Sequence, residues 1–159
     1  MFAAAVPRKT GRLRLNDSQA MTTGINYETK VLVLDYFASI RFIVCNLLKE
    51  IGFKHIVEAD DVALALSVIR KENIGLFIAD WDLPKISGLE LLRHLRQDTH
   101  AGNILVLLAT AEGFKADIFE AMEAGADDCL FKPFTADNLK RKIERIFRKR
   151  SIQPVFQVG

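Results

Sequence analysis

The chain reads as an α/β fold, a five-stranded parallel sheet with helices on both faces. Three observations predict it. The apolar runs Val31 to Leu34, Leu76 to Ala79 and Ile104 to Leu108 are unbroken rather than alternating, as strands covered on both sides are. Between them lie segments with apolar residues at helical spacing. Several runs stop abruptly at a polar residue, and in such sheets functional groups gather beyond the carboxyl ends of the strands.

The elements follow in order. Residues 1–29 show neither helical nor strand periodicity and read as a flexible tail, and Met21, just ahead of the first strand, is an alternative start. Val31 to Leu34 is the first strand and ends in Asp35. Ile40, Ile43, Val44, Leu47, Leu48 and Ile51 form a helical stripe closed by Gly52, with Cys45 off it. His55 to Ala59 is a short strand, Asp60-Asp61 offers an N-cap, and the next helix turns Leu66 and Ile69 inward. The strand ending at Asp80 is followed by Ser87 and Glu90, the spacing of a capping box.

Asn103 to Ala109 is the fourth strand, ending at Thr110. Phe114, Ile118, Ala121 and Met122 make a helical stripe closed by Gly125. Cys129-Leu130-Phe131 is the fifth strand, ending at Lys132-Pro133. Thr135 caps a last helix that turns Leu139, Ile143, Ile146 and Phe147 inward and a row of Lys and Arg outward. Residues 30–150 are thus one domain and 151–159 a short tail.

Of the 159 residues 50% are hydrophobic, enough for a real core, and no run approaches the ~18 apolar residues of a membrane span. We expect a cytoplasmic monomer. Two widely separated cysteines match no metal-ligand spacing. The net charge of +2 is partitioned: residues 30–138 carry 11 basic and 17 acidic side chains, residues 139–159 seven basic and one acidic. An acidic body argues against a general nucleic-acid binder.

Asp35, Asp80, Thr110 and Lys132 all stand at strand ends. Two adjacent carboxylates repel and call for a cation, and Mg²⁺ takes one or two carboxylates together with water and phosphate. A carboxylate can also attack phosphorus when cations neutralise the phosphoryl oxygens, and Lys132 with the Thr110 hydroxyl would serve there. Taken singly, Asp80 could cap the following turn and Thr110 a helix.

In order along the chain, Val33-Leu34-Asp35, Arg41 with Asn46-Leu47-Leu48-Lys49-Glu50 and Gly52-Phe53, Asp80-Trp81 with Pro84 and Gly88-Leu89-Glu90-Leu91-Leu92, Val106 to Glu112, Ala124-Gly125-Ala126 and Lys132-Pro133-Phe134-Thr135 carry a resemblance. The chain resembles the receiver domains of two-component response regulators, most closely the stand-alone chemotaxis regulators of the CheY type, with the flavodoxin-like (βα)5 fold. The resemblance implies that Asp80 is phosphorylated by a histidine kinase, that Thr110 and Lys132 contact the phosphoryl group, and that Asp35, Asp80 and the Asp82 carbonyl hold Mg²⁺. It also implies a cis peptide before Pro133, a phosphoacceptor rather than an enzyme with its own substrate, and output by protein binding through the fourth helix, fifth strand and fifth helix.

Two departures bear on this. The family usually has a second acid after the position of Asp35, and here it is Tyr36, so we expect a weakened Mg²⁺ site with Asp82 partly restoring the charge. The aromatic expected at the switch position is Cys129, too small to present a ring. The alternative is a pseudo-receiver, a binding module in which Tyr36 has ended metal-dependent phosphorylation. A dehalogenase-type phosphatase reading of Asp80-Trp81-Asp82 lacks room for a cap, and no glycine-rich turn after Asp35 supports a dinucleotide site.

Overall fold

A computed structural model describes residues 24–111 and 115–151. Strands β1 (Lys30–Leu34), β2 (His55–Ala59), β3 (Ile74–Asp80), β4 (Leu105–Thr110) and β5 (Asp128–Phe131) alternate with helices α1 (Ala38–Ile51), α2 (Val62–Lys71), α3 (Gly88–Arg96), α4 (Lys115–Glu123) and α5 (Ala136–Ser151). All neighbours pair in parallel, in the order β2-β1-β3-β4-β5. That order places β1 and β3 side by side in the middle, with Leu34 opposite Ala79, so Asp35 and Asp80 leave the sheet together.

Side chains alternate across a strand, so each strand serves two cores. Leu32, Leu34, Phe77, Val106 and Leu108 pack beneath α2, α3 and α4. Val31, Val33, Ile78, Leu105 and Leu107 pack beneath α1 and α5 with Val44, Leu48, Leu139 and Ile143. The capping box of Ser87 and Glu90 forms in both directions, Asp61 accepts from the Leu64 amide, and Thr135 caps α5 through the Asn138 amide.

Three expectations shift. Residues 24–29 are not tail-like: Ile25 and Tyr27 are buried in the α1/α5 core, where the Tyr27 ring packs on Phe53 and leaves only glycine room at Gly52, whose φ is +130°. Residues 1–23 and 152–159, with Phe114, lie outside the described residues. On α1 the buried face is turned from the expected stripe, with Ile43 51% exposed and Cys45 6%. The two lie about 100° either side of Val44 on the helix, so only one can face the sheet. Met122 is likewise exposed while Ala121 is buried.

The far end of the sheet is tied by one side chain. Arg96 donates to the carbonyls of Gly102, Ile104 and Gly125 and to Asp127 Oδ2, joining α3 to the loops around β4 and α4. Arg96→Met leaves those acceptors unmatched in a largely buried place. We expect it to lower unfolding stability by about 2–3 kcal/mol in a denaturant titration, with the same chemistry at the phosphoacceptor end.

Candidate functional site

The site lies at the carboxyl ends of β1, β3, β4 and β5. Lys132 reaches back over the sheet edge, and its Nζ donates to Asp35 Oδ2 at 2.9 Å and Asp80 Oδ1 at 3.1 Å. Both carboxylates and Thr110 are buried. Thr110 follows Ala109, the residue paired with Asp80 across β3 and β4, and its carbonyl accepts from the Lys132 amide at 2.8 Å. The Lys132–Pro133 peptide is cis, as the resemblance implied.

Local backbone fixes each group. The Phe37 amide donates to Asp35 Oδ1 at 3.0 Å, and Arg41 Nη1 donates to the Asp35 carbonyl at 2.8 Å while its Nε bonds Glu58. The Trp81 amide donates to the Ala109 carbonyl, and the Gly88 amide to the Trp81 carbonyl. Gly88 has to be glycine for steric reasons: a Cβ there would stand 2.8 Å from the Asp80 carbonyl oxygen and 2.9 Å from the Trp81 Cα. The start of α3 therefore closes directly on the segment that carries Asp80.

Two carboxylates and one ammonium leave the cluster with one excess negative charge. Burial raises the Asp80 carboxyl above its ordinary range and the Asp35 charge adds to this, although Lys132 opposes both. For Lys132, burial pulls downward, yet its bonds to Asp35 and Asp80 outweigh that and hold the ammonium above its usual value. The Lys132 ammonium is thus held charged beside two carboxylates.

The oxygens here suit a hard cation. Asp35 and Asp80 stand together there, and the Asp82 amide approaches Asp80 Oδ1 at 3.4 Å; among the described residues no three acidic, His or Cys side chains form a metal-holding group. Tyr36 is 55% exposed and meets Phe37 edge to face at 5.2 Å, along a cleft shared with Trp81 and Asp82. It brings a ring where a carboxylate was expected.

Residues 31–144 match the response regulator receiver domain. The chain belongs to the response regulator receiver family. It is 38% identical to the chemotaxis protein CheY-3 of Vibrio cholerae over 79% of this chain and 96% of that protein, and 41% identical to the chemotaxis protein CheY of Pseudomonas aeruginosa over 76% and 97%. Among solved structures it is similar to the chemotaxis response regulator CheY4 of Vibrio cholerae, with TM-score 0.69 and 28% identity over 75% of this chain and 98% of that one. It is equally similar to a receiver domain protein of Clostridium thermocellum, with TM-score 0.69 and 27% identity over 77% and 97%. Receiver domains of this type generally bind Mg²⁺ and work with histidine kinases and downstream targets.

Of the residues singled out from sequence, Asp35, Asp80, Thr110 and Lys132 come together. Cys129 lies apart, buried against the α3/α4 side, its thiol pushed up to about 11 by burial. The ring on that strand belongs to Phe131, 46% exposed and on the same side two residues on. Sequence reasoning missed Phe131 as a candidate switch aromatic, although an aromatic directly before Lys132 was the available signal.

Asp80 titrates higher in the folded state than in the unfolded chain, so its contribution to stability is present at acid pH and is lost as pH rises through the folded value. Asp80→Asn removes that loss. We expect its melting temperature at pH 7 to exceed that of the natural protein by a few degrees and the gain to vanish in acid melts.

Proposed function

We propose that Asp80 is the phosphoacceptor, that a histidine kinase supplies the phosphoryl group, and that the domain signals by phosphorylation-dependent protein binding. The observation that carries this reading is the Lys132 ammonium held between Asp35 and Asp80 at the open end of the sheet. Chemotactic or flagellar control follows from similarity to the chemotaxis regulators. In this reading the domain is a cytoplasmic monomer and a phosphoacceptor, not an enzyme with its own substrate; no described helix is long and apolar enough to cross a membrane.

An Asp80 carboxylate oxygen attacks phosphorus in line, the bond from phosphorus to the donor breaks, and the donor leaves with the electron pair, giving an acyl phosphate. Lys132 is already charged and stands beside the attacking carboxylate, where it meets the added negative charge without reorganising. Thr110, at the end of the adjacent strand, offers a hydroxyl to a phosphoryl oxygen. Asp35, Asp80 and the Asp82 carbonyl would hold Mg²⁺, which when bound neutralises phosphoryl charge. With Tyr36 in place of an acid we propose that this affinity is reduced and retained.

Output would use the face formed by α4, β5 and α5, where Phe131 stands in place of the aromatic expected at Cys129. Intact-protein mass after incubation with acetyl phosphate tests the reading. We expect one phosphoryl group to add in a Mg²⁺-dependent way, none to add to Asp80→Asn, and the rate to fall on the order of 10²-fold in Lys132→Gln. Absence of addition to a folded sample at every Mg²⁺ concentration would overturn it in favour of the pseudo-receiver.

A further inference from the structure

A cleft of about 390 Å³ opens beside the phosphoacceptor and is lined by Tyr36, Phe37, Trp81, Asp82, Lys85 and Ser87 among others. Both of its walls are tied to the site. On one, the Phe37 amide donates to Asp35 Oδ1 at 3.0 Å; on the other, Trp81 follows Asp80 directly and the Asp82 amide approaches Asp80 Oδ1 at 3.4 Å. Arg41 Nη1 steadies the turn that carries Tyr36 by donating to the Asp35 carbonyl at 2.8 Å and the Tyr36 carbonyl at 3.4 Å. A group that fills the cleft stands next to the carboxylate that would attack phosphorus.

Tyr36 gives this cleft a ring where a carboxylate was expected. The ring is 55% exposed, meets Phe37 edge to face, and so buries little of its own surface in the fold. Charge does not decide what the cleft takes, because Asp82 and Lys85 bring one carboxylate and one ammonium to it. Its aromatic walls do: they favour a flat ring over a small anion. The donor of the reaction proposed above carries such a ring, the imidazole of a phosphorylated histidine, which is planar and, when protonated, is drawn to aromatic faces.

We propose that Tyr36, facing the cleft with Trp81, is a specificity-determining residue that holds the imidazole ring of the phosphodonor and makes the domain favour a phosphorylated imidazole over an acyl phosphate. This deepens the reading of Asp80 as the phosphoacceptor, and rests on it. An Asp80 oxygen forms the bond to phosphorus, the phosphorus–nitrogen bond breaks, and its electron pair stays on that nitrogen; the other ring nitrogen keeps its proton, so the imidazole leaves neutral. The ring contact is made in the bound donor, before that bond breaks, and its loss therefore falls on KM.

Phosphoimidazole and acetyl phosphate are the probes, since they deliver the same phosphoryl group with and without a ring. The readout is the ratio of their kcat/KM values for phosphoryl addition, followed by intact-protein mass at saturating Mg²⁺; a change in metal affinity acts on both donors and cancels. We expect the ratio to fall roughly fivefold in Tyr36→Leu, through the phosphoimidazole KM, and to hold in Tyr36→Phe. Tyr36→Ser removes the ring with a smaller side chain and should act as Tyr36→Leu does. Asp80→Asn cannot accept the group, so Trp81 fluorescence in that protein reads phosphoimidazole binding alone, which should weaken by a similar factor when Tyr36→Leu is added. An unchanged ratio in Tyr36→Leu and Tyr36→Ser, or binding to Asp80→Asn that ignores the ring, overturns the proposal. Ring-dependent binding to Asp80→Asn without uptake from either donor by the natural protein would sustain the subsite and sink the phosphorylation reading; uptake with an unchanged ratio would do the reverse.

Discussion

A single ammonium group holds two buried carboxylates that would otherwise drive each other apart. Lys132 lies 97 residues from Asp35 and 52 from Asp80, yet bonds both. Only a sheet that sets β1 beside β3 and brings β5 to the same end can arrange this, and the strand order does so. Much else follows from keeping the arrangement in place. Arg41 fixes the backbone around Asp35, glycine at Gly88 lets α3 close on Asp80, and the Phe37 amide orients the Asp35 carboxylate. The residual negative charge would favour a metal, and the Lys132 ammonium would meet the charge a phosphoryl group brings.

At the phosphoacceptor end, acids outnumber the base that serves them: two buried carboxylates share one ammonium. Arg96 works differently. Its donors are matched by carbonyls and Asp127, and it acts as a tie between elements rather than as a binding group.

Most of the sheet was legible because buried parallel strands are unbroken apolar runs, and because each of the functional strands stops at a polar residue. Asp35, Asp80, Thr110 and Lys132 could be read as one site from that alone. Caps at Asp61, Ser87 and Thr135 were equally plain, since each depends on local chemistry. What was not legible depends on contacts between distant segments. The turn of α1 that buries Cys45 and exposes Ile43 is decided by packing on the sheet, and the burial of Ile25 and Tyr27 by the hollow over Gly52 and Phe53.

The central claim is that the Asp35, Asp80 and Lys132 cluster still attracts a divalent cation although Tyr36 has taken the place of an acid. Trp81 is the one tryptophan in the chain and lines the cleft with Tyr36 and Asp82, so its fluorescence reports on the site. A Mg²⁺ titration followed by that signal should saturate for the natural protein, saturate at roughly tenfold lower concentration for Tyr36→Asp, and fail for Asp35→Asn. Equal affinity in Tyr36→Asp and the natural protein, or undiminished binding in Asp35→Asn, would contradict the account.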